Sequence, residues 1–71
     1  MSGVTVKKRS VLIAGHSTSI SLEQEFWNAL RKVAAGRDQS INDLVTEIDQ
    51  SRVGNLSSAI RVFILRELCR Q

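Results

Sequence analysis

Between Ser17 and Leu22 the chain alternates strictly, with Thr18, Ile20 and Leu22 separated by Ser17, Ser19 and Ser21. A period of two predicts a strand with one buried face over residues 17–22, the serines turned away from the core. From Leu22 the period lengthens. Leu22, Phe26, Ala29, Leu30 and Val33 recur every three or four residues and predict an amphipathic helix over 22–35. Glu23 and Glu25 near its start, and Arg31 and Lys32 near its end, suit the helix dipole, and Gly36 offers a stop. Ser40, with Asp43 three residues on, predicts the N-cap of a second helix over 40–52. Its apolar face is Ile41, Leu44, Val45 and Ile48. Val53-Gly54-Asn55 breaks the chain, and a third helix is predicted over 56–70. Leu56, Ala59, Ile60, Phe63, Ile64 and Leu68 cover a wide arc of it, which Val62 and Leu65 widen further. A helix that apolar needs cover over most of its circumference, here expected from another subunit.

The start of the chain is less periodic. Met1 to Val6 is small and polar, and residues 1–8 read as a flexible arm ahead of a single domain over 9–71. Val11 to Ala14 is a short apolar run ended by Gly15, either a strand or an arm that packs on a partner.

Size sharpens this reading. A chain of 71 residues is at most one domain and is marginal alone, yet 42% of it is hydrophobic with only two Phe and one Trp. With one cysteine, no disulfide can supply the missing stability. A homodimer is expected, with Ile20, Leu22, Phe26, Leu30, Leu44, Ile48, Ile60 and Phe63 in its core. No apolar run is long enough to span a membrane, the N-terminus lacks a signal-peptide pattern, and a lone cysteine fits a reducing compartment. The expected location is the cytoplasm.

Catalytic chemistry has little to stand on. His16 beside Ser17 is adjacency rather than a triad, and a lone histidine in a loop is usually just exposed. Cys69, on the apolar side of the third helix, reads as a buried structural thiol. The glycines form no phosphate loop, and Phe26-Trp27, at helical spacing, reads as core rather than as a base-stacking pair. No enzyme activity, no cofactor and no metal site is expected.

Charge is the more informative feature. The formal net charge is +3, and all seven acidic residues lie from Glu23 onward, whereas Lys7, Lys8 and Arg9 form a basic cluster ahead of them. Such an asymmetry points to a polyanionic partner. The strand then acquires a purpose. A lone strand leaves its edge groups unpaired, and pairing the same strand from two copies gives a two-stranded antiparallel ribbon. A β-ribbon fits the major groove of B-DNA, where small hydroxyls meet base edges.

On these residues the chain resembles the ribbon-helix-helix superfamily of bacterial DNA-binding proteins, of the Arc, MetJ and CopG type. "SISLEQEF" fits the register of that family's strand and helix start, and "GRDQSINDLV" its interhelical turn and capped second helix. The segment "KRSVLIAGHSTSISLEQEFW" and the third helix resemble a subgroup of small bacterial proteins. The resemblance implies a mainly α fold with a short β-strand: an intertwined homodimer with an intersubunit ribbon, plus an extra C-terminal helix. It implies base contacts from Ser17, Ser19 and Ser21, and phosphate contacts from the backbone N–H groups of Ser40 and Ile41. Lys7, Lys8 and Arg9 are expected to add phosphate contacts.

Three features depart from that pattern or compete with it. Many members carry Arg, Lys, Gln or Asn on the ribbon, and three serines read bases weakly. Ser21 with Gln24 also fits a capping box, which would make Ser21 the first helix's cap. "NLSSAIRVFIL" itself resembles a capped second helix, which would move the phosphate site to Ser57 and Ser58; the short turn before Ser40 favours Ser40. The expected function is a dimeric, sequence-selective binder of double-stranded DNA that regulates transcription. The alternative is a protein–protein interaction module, antitoxin- or adaptor-like, built on the same fold.

Overall fold

A computed structural model describes residues 6–70. In chain order its elements are β1 (Val6–Ile13), β2 (His16–Glu23), α1 (Gln24–Gly36), α2 (Ile41–Ser51) and α3 (Leu56–Cys69). Met1 to Thr5, most of the expected arm, lie outside the described residues.

The two strands form an antiparallel hairpin, so the two-stranded ribbon exists within one chain. Val6 pairs with Glu23, Arg9 with Ile20, Val11 with Thr18 and Ile13 with His16. Val6, Lys7 and Lys8, expected in the arm, are the first residues of β1. The apolar run from Val11 is therefore a strand, and the edge of β2 expected to meet a second copy has β1 on one side. The connection is Ala14-Gly15, with φ of 51° and 83°. Two central residues at positive φ are the mark of the type I′ turn, whose twist matches that of the strands it joins.

Alternation then sorts the side chains. Val11, Ile20 and Leu22 point to the helices and are buried. Thr18 shares their side but is exposed. The strand also runs to Glu23, so α1 starts at Gln24 rather than Leu22. Its N-cap is Glu23, with no side-chain cap, which removes Ser21 from that role.

Gly36 lies inside the last turn of α1. The left-handed residue that ends the helix is Asp38, with φ of 58°, and the N–H of Gln39 bonds the Ala34 carbonyl at 2.9 Å. A short polar side chain tolerates this conformation better than most. The α2 helix opens on Ser40, whose Oγ accepts from the Asp43 N–H at 3.0 Å. Asn55 caps α3 in the same way, accepting from the Ser58 N–H at 3.2 Å.

One core joins the hairpin's inner face to all three helices. It contains Val11, Ile20, Leu22, Leu30, Ala34, Leu44, Val45, Ile48, Ile60 and Ile64, with Phe26 and Phe63 packed against it. The side chains expected at a dimer interface are therefore packed, or partly packed, within a single chain. The outer side of α3 is not covered. Val62, Leu65 and Leu68 are 47, 59 and 57% exposed. Cys69 is exposed too, on that open side, rather than buried as its apolar surroundings in the sequence suggested.

Candidate nucleic-acid interface

The hairpin's outer face, opposite the helices, holds the expected site serines. Cross-strand partners in an antiparallel pair point to the same side. Ser21 stands beside Lys8, Ser19 beside Ser10, and Ser17 beside Leu12. The face thus has two rows, Lys8-Ser10-Leu12 on β1 and Ser21-Ser19-Ser17 on β2. All six are exposed except Ser21, which is half-buried. The β1 row was missed in the sequence because only β2 shows clean alternation. The available signal was Ala14-Gly15 between two runs of similar length, the spacing of a two-residue hairpin.

The basic cluster does not act as one group. Lys7 and Lys8 are exposed and form no ion pair among the described residues. Arg9 falls on the inner side, opposite Ile20. Its guanidinium lies 4.5 Å from the Trp27 ring centroid and donates to Gln24 Oε1 at 2.7 Å. Gln24 in turn donates to Asn28 Oδ1 at 3.0 Å.

Each aromatic ring of the chain is faced by an arginine in this way. Arg37 lies 5.1 Å from the centroid of Phe63, and Arg61 lies 6.0 Å from that of Phe26. The rings are engaged by the fold and are not free to stack on bases.

Arg61 also closes one end of the ribbon. Its Nε donates to Glu23 at 2.9 Å, and a second nitrogen reaches the Ser21 carbonyl at 3.4 Å. Ser57 Oγ accepts from the Ser21 N–H at 3.3 Å. The Arg61 hydrogen bond holds the Glu23 carboxyl below its ordinary value, aided by a backbone hydrogen bond and by the guanidinium charge, and opposed by desolvation. The acid nearest the ribbon is thereby kept ionised and paired. Ser57, the alternative phosphate contact, serves to dock α3 on β2.

The Ser21 backbone groups point away from β1, so by alternation those of Ser17 and Ser19 do too. Among the described residues these two have no backbone partner on that edge. On the other edge, the Leu12 N–H donates to Asn42 Oδ1 at 3.0 Å. That bond sets the N-terminus of α2, with Ser40 and Ile41, directly beside β1. Ser40 is exposed and Ile41 half-buried. A helix N-terminus attracts anions, although Asp43 in the first turn offsets part of that attraction here.

The hairpin followed by three helices, two of them side-chain capped, with a polar outer face carrying Lys8, fits a ribbon-helix-helix protein. A family model described as a ribbon-helix-helix domain matches residues 6–68, and the chain belongs to that family. The match includes β1 and nearly all of α3, so neither lies outside the family pattern. Among solved structures, the chain is similar to an uncharacterized protein from Bordetella pertussis Tohama I, at 29% identity and a TM-score of 0.79. The similarity covers 93% of this chain and 58% of that one, so this chain spans little more than half of its relative's length. No curated protein matches the chain. Ribbon-helix-helix domains are typically DNA-binding transcription regulators or antitoxins, and are typically not enzymes. Among the described residues no helix is long and apolar enough to cross a membrane, and no group of three or more His, Cys, Asp or Glu is placed to hold a metal ion.

Proposed function

We propose that the chain is a dimeric, sequence-selective double-stranded DNA-binding protein that enters the major groove with its hairpin and regulates transcription in a bacterial cytoplasm. One observation carries this reading: a two-stranded antiparallel ribbon presents a face of hydroxyls and Lys8 on which the only acid among the described residues, Glu23, is paired with Arg61. A ribbon of that width fits the groove. Ser17, Ser19 and Ser21 contact base edges. Lys7 contacts phosphate along the flank, and the Ser40 and Ile41 amides anchor another phosphate beside β1. Arg9, assigned to phosphate by its position in the basic cluster, serves this reading indirectly by holding β1 on α1.

The dimer rests on the α3 side chains left open. Val62, Leu65 and Leu68 form an apolar strip that a second copy covers. The same strip supports the second reading, an interaction module that docks a partner protein. Between α2 and α3 an open groove of about 470 Å³, lined by Ile48, Val53, Ala59, Val62 and Phe63, would receive it.

An NMR titration of labelled protein with a mixed-sequence duplex tests the choice. Amides of Ser17, Ser19, Ser40 and Ile41 should shift at low salt and still shift near physiological ionic strength. If only Lys7 and Lys8 respond, and salt abolishes the response, groove entry is wrong and the partner-docking reading takes its place.

A further inference from the structure

Serines alone leave the ribbon with little to discriminate bases. A hydroxyl rotates to donate or to accept, so it pairs with several base edges. The register supplies two better readers on the same face. Lys8 stands across from Ser21, and Leu12 across from Ser17. Leu12 is 49% exposed although its neighbour Val11 is buried, so it is an apolar side chain held on the polar face. Its position is fixed from the side, because its N–H is bound by Asn42 at the start of α2. If the α2 N-terminus grips a phosphate, Leu12 is held at a set distance from that phosphate.

We infer that β1, rather than the serine row, carries the base preference: Leu12 by apolar contact with a thymine 5-methyl, and Lys8 by donating to guanine O6 and N7. This rests on the DNA-binding reading above and adds which residues select and what they select. In the major groove the thymine methyl is the apolar feature of the base edges, and guanine O6 and N7 form the acceptor pair that a lysine recognises. Lys8 and Leu12 lie four positions apart, roughly 14 Å of strand. The two contacts therefore fall several base steps apart, with Ser10 and Ser19 between them and tolerant of sequence.

The test starts from duplexes selected by the wild-type protein from a random pool. Each thymine is replaced in turn by deoxyuridine, and each guanine by 7-deazaguanine, with affinity read by fluorescence anisotropy. Loss of the methyl should weaken wild-type binding about three- to fivefold at one thymine per half-site, the worth of one buried methyl group. Leu12→Ala should bind the thymine and deoxyuridine duplexes equally, and Lys8→Met should ignore 7-deazaguanine. If Leu12→Ala keeps the thymine preference, or the wild type shows none at any position of a selected duplex, the inference is overturned while DNA binding stands. If no duplex is enriched over random sequence, the DNA-binding reading itself falls. The base-analogue scan uses the wild-type protein, so it does not depend on how the variants fold.

Discussion

Replacing Arg9 and replacing its neighbours Lys7 and Lys8 should have opposite effects, although the three residues are consecutive. Arg9 stacks on Trp27 at 4.5 Å and bonds Gln24 at 2.7 Å, both on the inner side of β1. A half-buried cation–π pair contributes about 1 kcal/mol, and a hydrogen bond of this kind contributes about 1 kcal/mol more. Arg9→Ala should therefore cost roughly 2 kcal/mol, which in a domain of this size lowers the melting temperature by about 8–16 °C. Lys7→Ala and Lys8→Ala remove exposed side chains and should leave stability within about 0.5 kcal/mol. Lys7→Ala should instead weaken binding to all duplexes alike and flatten its salt dependence by about 0.9 in log–log slope for the phosphate no longer neutralised, whereas Lys8→Ala should weaken binding chiefly to duplexes with guanine at its contact.

The assay has two arms: thermal melts followed by circular dichroism at one fixed protein concentration, and anisotropy titrations across a salt series well below every melting temperature. A double-mutant cycle with Trp27→Leu adds the coupling between Arg9 and the ring, expected to be about 0.5–1 kcal/mol. The reasoning is refuted if Arg9→Ala melts with the wild type, couples to Trp27 by nothing measurable, and lowers the salt slope as Lys7→Ala does. Arg9 would then belong to the DNA and not to the fold.

Further outcomes follow from individual interactions. Ala14 occupies a left-handed position in the hairpin turn, so Ala14→Asn, which supplies the residue preferred there, should raise stability by about 0.5–1 kcal/mol in urea denaturation; a decrease would contradict the turn type. The Glu23 carboxyl is held below its ordinary value, chiefly by the hydrogen bond from Arg61. Its contribution is therefore complete above the unfolded-state value and is lost as pH falls through the lower folded-state value. Melts of wild type and Glu23→Gln should differ at neutral pH and converge in acid; a difference that persists in acid would show that the ion pair is not its source.

The periods visible in the sequence account for most of this architecture, and the exceptions have physical causes. The β2 strand alternates because the helices bury one of its faces and leave the other open. The three helices lie where apolar spacing puts them, since each packs a stripe against the common core. The β1 strand was harder to read because Lys7 and Arg9 occupy its inner positions, where apolar residues would normally show the period. Arg9 is tolerated there because Trp27 covers its guanidinium and Gln24 accepts from one terminal nitrogen, although the buried Nε has no partner; these contacts lie 18 and 15 residues away, where no local pattern reveals them. The turn is disguised as well, since Ala14 stands where Asn or Asp would announce it. In α3 apolar residues surround the helix, so spacing alone does not say which side faces inward. Ile60 and Ile64 do, while Leu65 and Cys69 face out. The left-handed residue that follows α1 lies two positions beyond Gly36, because Asp38 takes the role that glycine more commonly fills.

Pairing within the chain changes the purpose of the dimer proposed above. If the ribbon formed only between copies, separating them would dissolve the strands and with them all groove contact. Here β1 supplies the second strand, so a monomer should keep its ribbon and give up only the second copy's hold on the DNA. Leu65→Asp places a charge in the exposed strip of α3 while leaving the core residues Ile60 and Ile64 untouched. Sedimentation should show the dimer give way to monomer at micromolar concentration. Amide exchange should still protect the β1–β2 pairs such as Arg9–Ile20 and Val11–Thr18. DNA affinity should fall by two orders of magnitude or more, because a second linked site raises affinity by about 10²–10⁴, and the salt slope should drop to about half. A monomer in which those amides exchange freely would mean that the hairpin depends on the second copy. A variant that remains dimeric would mean that the copies meet elsewhere, with the free edge of β2 at Ser17 and Ser19 the next surface to disrupt.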